Sequence, residues 1–218
     1  MTSVLGVDGC KGGWVGAQVG PAGISWHIFA TAEQVLAHGA DALAMDIPIG
    51  LAEHGVRRCD VEARRRPHVR ASSVFAAPIR AVLGARSYAE ARACSEAVDG
   101  RSLSAQCYGI VPKIAEVDAG LRAQPGRDVL EVHPEVSFAC LAGRPLARKK
   151  SAAGALARMQ LLVGALGALP EDVPAQAGLD DALDALVCAW TASRWLRGQA
   201  EVLGGELDAT GQVMRIVI

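Results

Sequence analysis

The stretch VLGVDGCKGGWVGAQVG, from Val4 to Gly20, decides the fold that the sequence predicts. Two apolar runs are separated by a glycine-rich turn, a pattern typical of antiparallel strands joined by a tight connection. It predicts strands over Val4 to Asp8 and over Trp14 to Val19. Asp8 closes the first run, and its carboxylate needs an explanation because charged side chains are rarely buried without a partner.

The elements that follow predict an α/β chain. Ile24 to Phe29 reads as a third strand, and Thr31 is placed to cap a short helix over Ala32 to His38. The run ALAMDIPIG, Ala42 to Gly50, is apolar on both sides of Asp46, as expected of a strand buried on both faces. A second aspartate therefore ends a second central strand.

A helical insertion is predicted between the fourth and fifth strands. Leu51 to Gln124 is rich in arginine and alanine and lacks the alternation of a strand. Arg127 to Glu135 restores the strand pattern around Glu131, and Pro134 ends it because proline cannot donate to a sheet. We expect one domain over residues 1–218, with a mixed sheet of five main strands, the first three antiparallel, flanked by helices.

Two further helices and a C-terminal hairpin or strand complete the prediction. The first helix covers Lys150 to Leu169, and the second contains DDALDALVCAW. In the second helix Asp181 and Asp184 are three residues apart and share a face. Beside that face runs an apolar stripe at helical spacing, made of Leu183, Leu186, Val187 and Trp190.

Composition limits the classes of function. The chain has 218 residues, is 51% hydrophobic and carries a net charge of -1, which argues against strong nonspecific binding to long nucleic acids. Its six cysteines form no Cys-x-x-Cys pair, so neither a zinc site nor a disulfide scaffold is expected. No apolar stretch is long enough to cross a membrane. We expect a cytoplasmic protein with no membrane partner.

The position of the carboxylates suggests a metal site. Asp8, Asp46 and Glu131 all stand at the carboxyl ends of predicted strands, where open α/β sheets place their ligands. Clustered carboxylates repel one another unless a cation is bound, and oxygen-only ligands suit Mg²⁺ or Mn²⁺. Each acid also has a structural alternative: Asp8 as a turn residue, Glu131 as an exposed edge residue, and Asp181, with its neighbour Asp180, as a helix cap.

Several motifs carry a resemblance. The element order resembles the ribonuclease-H-like fold, and DALDALVCAW resembles the D-x-x-D-A-L helix of bacterial Holliday-junction resolvases. More closely, nearly the whole chain is similar to domain-of-unknown-function family 429, regarded as predicted ribonuclease-H-like nucleases. The motifs that carry this similarity are GVDGCKGGWVGA, AMDIPIGL, RRCDVEAR, SSVFAAPIR, SAQCYGIVPKIAEVD, EVHPEVSF and DDALDALVCAWTA.

The resemblance implies a nuclease that uses two Mg²⁺ or Mn²⁺ ions to hydrolyse phosphodiester bonds. It places Asp8 between the ions, with Asp46 and Glu131 as flanking ligands and Asp181 and Asp184 completing the second ion site from the helix. It further suggests that Lys113 and Lys150 contact phosphate. From its place in the strand, His133 would face the same side as Glu131 and position water or the leaving group, or it is a packed strand-end histidine.

The insertion is expected to cover the site and to contribute substrate contacts. Its arginine run, with Asp60 and Glu62 interspersed, is either a solvated face with ion pairs or a phosphate-binding surface. The run consists of Arg57, Arg58, Arg64, Arg65, Arg66 and Arg70. Near-neutral charge favours a short or structured nucleic acid as partner.

Two other classes of protein share this fold or its core. A noncatalytic nucleic-acid or nucleotide binding protein with the same fold stays open. Sugar kinases and actin-like ATPases share the core, but they need two such domains, for which 218 residues with one core pattern are too few.

Overall fold

The computed structural model describes residues 2–218 and has a five-stranded mixed sheet at its centre. The strands lie in the order β3-β2-β1-β4-β5. β1, β2 and β3 are antiparallel neighbours, whereas β4 runs parallel to β1 and β5 runs parallel to β4. The α/β class, the five strands and the antiparallel arrangement of the first three are thereby confirmed. The strands are β1 (Val4–Cys10), β2 (Gly13–Gly20), β3 (Gly23–Phe29), β4 (Ala42–Met45) and β5 (Leu130–Glu131).

Helices flank the sheet, and several of them form the predicted insertion. The insertion between β4 and β5 contains three α-helices and two short 3₁₀ turns, at Ala71–Ser73 and Arg80–Gly84. The helices of the chain are α1 (Ala32–Leu36), α2 (Arg58–Arg64), α3 (Tyr88–Asp99), α4 (Ala105–Ala123), α5 (Pro134–Ala142), α6 (Ala152–Leu166) and α7 (Leu179–Leu196). No helix among residues 2–218 is both long enough and apolar enough to cross a bilayer.

The fifth strand differs from its predicted extent. Within the predicted stretch Arg127 to Glu135 it has only two residues. As predicted, it does not continue past Pro134, which is the first residue of α5, a position that its fixed φ suits. The C-terminal segment forms the hairpin β6 (Val202–Leu207) and β7 (Val213–Val217). A parallel bridge from Val217 to Val132 places this hairpin beside β5.

Strand pairing aligns the first two acidic positions. The parallel register pairs Val7 with Met45, and the amide of Asp46 donates to the carbonyl of Val7 over 2.9 Å. Since neighbouring parallel strands end at the same edge of a sheet, Asp8 and Asp46 follow this pair at the same edge. The hairpin that leaves β1 is tight, and Gly12 in it has a φ of 81°.

Helix α7 packs directly on the backbone of β1. A Cβ atom on Gly6 would lie 2.1 Å from the carbonyl oxygen of Ala185 and 2.1 Å from the amide nitrogen of Ala189. The predicted stripe of Leu183, Leu186 and Val187 is buried as well, so this part of the helix is covered on several sides. Small residues on the strand and helix permit the close approach, which carries residue 184 toward the end of β1.

The Gly6 contact gives a stability test. Gly6→Ala should lower the free energy of unfolding by roughly 2 kcal/mol or more, because the added methyl group forces strand and helix apart. Thermal melts measure the change. Gly164→Ala in α6 is the matched control, since its Cβ meets nothing within 4 Å and alanine favours helix. An unchanged melting temperature for Gly6→Ala would contradict the direct packing of α7 on β1.

Candidate metal centre

Three carboxylates from separate elements meet at one edge of the sheet. Each of Asp8, Asp46 and Asp184 offers one oxygen, and these oxygens lie within 4.8 Å of one another. Asp8 belongs to β1, Asp46 follows β4, and Asp184 projects from the second turn of α7. The parallel pairing of β1 with β4 and the close approach of α7 at Gly6 bring them together.

The protein satisfies these carboxylates only in part. Asp184 is 1% exposed, its Oδ2 accepts a hydrogen bond from Lys149 Nζ at 2.6 Å, and its Oδ1 is buried without a partner. Asp8 Oδ1 accepts from the amide of Gly9 at 2.6 Å. A buried carboxylate oxygen without a donor is costly, and an oxygen-only ligand set suits a hard divalent cation. The residues therefore fit the predicted Mg²⁺ or Mn²⁺.

Burial and repulsion by neighbouring carboxylates raise the pKa values of all three groups. For Asp8, burial is the main cause, followed by the charges of Asp46 and Asp184. For Asp46, burial is again the main cause, followed by the charge of Asp184. Burial raises the pKa of Asp184 to about 6, although the ammonium of Lys149 acts in the opposite direction. The site resists holding three negative charges without a compensating cation.

Glu131 stands at the end of β5, as the sequence indicated, but it lies outside this group of three. Arg57 donates to both of its oxygens, at 2.6 Å to Oε1 and 2.7 Å to Oε2, and the amide of Ile49 donates to Oε2 at 2.6 Å. Glu131 is 4% exposed, so the alternative of an exposed edge residue is wrong. The direct ligand role expected for Glu131 does not fit this arrangement, because both of its oxygens are occupied by donors.

Arg57 forms a buried ion triad that sequence reasoning missed. It is 3% exposed and pairs with Asp60 as well as with Glu131, each at 2.6 Å. Burial raises the pKa of Glu131 to about 7, and Arg57 counteracts that rise. The triad fastens the start of the insertion to the end of β5. In the sequence, Arg57 opens an arginine-rich run, and nothing local distinguishes it from solvated neighbours.

Asp181 also lies outside the three-carboxylate group. Its Oδ2 accepts a hydrogen bond from the amide of Gly178 at 2.9 Å, which is the geometry of a helix cap. The capping alternative therefore describes Asp181. Asp184, one turn later, takes the position beside Asp8.

The predicted basic residues and the histidine surround the same space. Lys113 Nζ donates to the carbonyl of Gly13 at 2.5 Å and lies 4.2 Å from the centroid of the Trp14 ring. His133 precedes α5, its Nδ1 is buried without a partner, and burial lowers its pKa, so its imidazole is neutral at pH 7. Lys150 is exposed, whereas Lys149, which the sequence did not single out, contacts Asp184.

A cavity of about 790 Å³ opens beside the carboxylates. Asp8, Asp46 and Asp184 line it together with residues of the insertion, so the insertion supplies one wall of the site. Glu135, another residue that sequence reasoning missed, also lines it and pairs with the buried Arg158 at 2.6 Å. The basic residues around the cavity are Arg57, Arg70, Lys113, Arg148, Lys149 and Lys150.

Most arginines of the predicted run do not line the cavity. Arg58 pairs with Glu62 at 2.6 Å, and Arg66 pairs with Glu201 at 2.6 Å. From this run, Arg57 and Arg70 line the cavity, and Arg70 donates to the carbonyl of Leu146 at 2.6 Å. For Arg58 and Arg66 the interpretation as a solvated face with ion pairs is the one that the contacts support.

Comparison with known proteins confirms the family assignment. The sequence profile described as "Protein of unknown function (DUF429)" matches residues 6–209. The chain belongs to this family. Neither a curated protein nor a solved structure matches it. The matched range contains the three carboxylates, the cavity and the whole insertion, so the candidate site lies inside the part of the chain that defines membership.

Without metal, Asp8→Asn should be more stable than the wild type, and the difference should grow as the pH rises through the interval between the ordinary aspartate pKa of 3.8 and the raised pKa of Asp8. A raised pKa means that the folded protein binds protons that the unfolded chain has released, so the wild type loses stability through this interval. For Asp184 the interval runs from the ordinary value of 3.8 to about 6. Each pKa unit corresponds to about 1.4 kcal/mol.

Chemical denaturation in EDTA at several pH values measures this difference. Asp180→Asn, which alters an aspartate in the first turn of the same helix, is the matched control and should show no such gain. A destabilised Asp8→Asn at pH 8 would show that Asp8 is a structural turn residue.

Stabilisation by Mn²⁺ should distinguish the residues that bind the metal from those that only stabilise the fold around it. It should raise the melting temperature of the wild type, because a ligand at about 100 times its Kd stabilises by about 2.7 kcal/mol. Asp184→Asn should lose this gain. Glu131→Gln should melt lower without metal, since it weakens a buried ion pair, but it should keep the gain. Loss of the gain in Glu131→Gln would assign Glu131 to the metal instead.

Proposed function

We propose that this chain is a divalent-metal-dependent hydrolase of phosphodiester bonds in nucleic acid, built on a ribonuclease-H-like core. The observation that carries the proposal is the convergence of Asp8, Asp46 and Asp184, whose oxygens lie within 4.8 Å of one another beside a cavity. Three buried acids this close together destabilise the fold unless they bind a cation.

The topology supports the proposal. The order β3-β2-β1-β4-β5, with three antiparallel strands followed by two parallel ones, is the arrangement expected of ribonuclease-H-like proteins. Acids on the first strand, after the fourth strand and in the last long helix match the element order of that fold. Because a fold hosts many activities, the argument for hydrolysis depends on the side chains at the site.

Asp8, Asp46 and Asp184 would hold Mg²⁺ or Mn²⁺, which when bound supplies Lewis acidity toward phosphate and lowers the pKa of water. The resemblance implies two ions. We assign the fourth carboxylate to Glu135 in place of Glu131 or Asp181. Both Glu131 and Glu135 line the cavity, but Arg57 binds both oxygens of Glu131, whereas Arg158 binds only Oε1 of Glu135, and the charge of Glu135 acts on both Asp46 and Asp184. Arg158 orients Glu135 by binding its Oε1.

Other residues of the chain would bind and orient the substrate. Lys113, Lys149 and Lys150 line the cavity and offer ammonium groups to phosphate oxygens. Lys149 also limits the repulsion at Asp184. The neutral His133, with a buried Nδ1 that has no partner, is suited to accept a hydrogen bond or a proton from water or from the hydroxyl group of a substrate.

Cleavage assays test the proposal. Labelled single-stranded, duplex and four-way-junction DNA and RNA are incubated with the protein in Mg²⁺, Mn²⁺ or EDTA. We expect cleavage with either ion and none in EDTA. Asp184→Asn should lower the rate by more than about 100-fold, since even indirect disturbance of metal ligands costs 10- to 100-fold.

Asp181→Asn is the matched control, because Asp181 lies on the same helix but caps its N-terminus. It should retain most of the activity. Metal-dependent binding of these nucleic acids without cleavage would favour the noncatalytic alternative, and equal activity of Asp184→Asn and the wild type would remove the three carboxylates from the mechanism.

A further inference from the structure

One wall of the cavity beside the carboxylates is apolar and exposed. Phe75 is 46% exposed and Ile110 is 39% exposed, and both line the same cavity as Asp8 and Asp184. Large apolar side chains at this exposure are common on surfaces when they stand alone. Two of them within a cavity that also contains clustered charges point to a ligand with an apolar part.

The backbone around Phe75 is anchored, so the ring is held at the cavity by its neighbours. Val74 is 1% exposed and belongs to an apolar cluster of the core. The amide of Ala77 donates to Asp60 Oδ2 at 2.9 Å, and Asp60 is a member of the buried triad with Arg57. A side chain that stays exposed between two anchored residues is suited to contact a ligand that enters the cavity.

The charges and the size of the cavity define the chemistry of that ligand. Lys113, Lys149 and Lys150 suit an anion, and the aromatic ring suits a flat apolar group. The volume of about 790 Å³ is in the range of sites that enclose small molecules, about 300 to 1,000 Å³. A nucleotide combines a phosphate with a planar base and is of suitable size.

We propose that the cavity binds one nucleotide unit with an unpaired base, its phosphate beside the carboxylates and lysines and its base stacked on Phe75. The inference depends on the proposed function and names its substrate class. A base in a duplex is already stacked and paired, so it would have to be unstacked before it reached Phe75. Single-stranded segments and ends are therefore the preferred substrates.

Binding of small probes tests the base contact separately from cleavage. Adenosine 5′-monophosphate, its deoxy analogue and ribose 5-phosphate are titrated into the protein in Mg²⁺ by calorimetry; none of them contains a phosphodiester bond. Both nucleotides should bind roughly tenfold or more tightly than ribose 5-phosphate, as expected for the stacking of one base on an aromatic ring. A difference in affinity between the two nucleotides would show whether the nucleotide unit comes from RNA or from DNA.

Substitutions of Phe75 distinguish stacking from apolar burial. Phe75→Leu keeps an apolar side chain but removes the ring, and it should abolish the preference for nucleotides over ribose 5-phosphate. Phe75→Trp should retain that preference. Leu156→Ala, which truncates a residue of α6 that is 57% exposed and does not line the cavity, is the control and should bind like the wild type.

The outcomes separate this inference from the proposed function. Equal binding of nucleotides and ribose 5-phosphate, no binding of any probe, or a preference that survives in Phe75→Leu would overturn the base contact, even if metal-dependent cleavage persists. A preference that requires the ring supports the contact. If cleavage were then absent, the site would be a noncatalytic nucleotide site. In that case only the hydrolase proposal would be wrong.

Discussion

The direct contact between helix α7 and strand β1 at Gly6 is the constraint on which the site depends. Because a Cβ atom there would lie 2.1 Å from Ala185 O, no larger residue permits this approach. The contact brings Asp184 to the end of β1, and the parallel pairing of β1 with β4 brings Asp46 to the same edge. The carboxylates therefore meet because of how sheet and helix pack, although they are far apart in the sequence.

A second constraint connects the insertion to the sheet. Arg57 binds Glu131 at the end of β5 and Asp60 in α2, all within the interior. Asp60 in turn accepts a hydrogen bond from the amide of Ala77, two residues after Phe75. Removing one member of such a buried group leaves an uncompensated charge, which costs about 3 to 5 kcal/mol. The same ion triad therefore supports both the end of the central sheet and the apolar wall of the cavity.

Periodicity and strand ends were sufficient to predict the sheet, the insertion and the places of Asp8 and Asp46, since these follow from regular patterns. For Asp184, periodicity gave only a helix face shared with Asp181, and its place in the site was implied by the resemblance. The partners of those acids were not predictable. Glu131 and Asp181 are carboxylates like the three that converge, and only the positions of Arg57 and Gly178 show that Glu131 belongs to an ion triad and that Asp181 caps its helix. Lys149 and Lys150 are adjacent in sequence, so the path of the loop decides which of them reaches Asp184. Phe75 lies in an irregular segment without helical or strand periodicity, so its exposure at the cavity could not be predicted from the sequence.

The proposed function depends on the binding of a divalent cation by Asp8, Asp46 and Asp184 together. Anomalous X-ray diffraction from crystals of the protein grown with Mn²⁺ tests it most directly, because the signal locates the ion without reference to activity. We expect an anomalous peak with oxygens of all three carboxylates among the ligands of the ion. Crystals that contain Mn²⁺ but show no peak at these residues, with Lys149 still bound to Asp184, would contradict it.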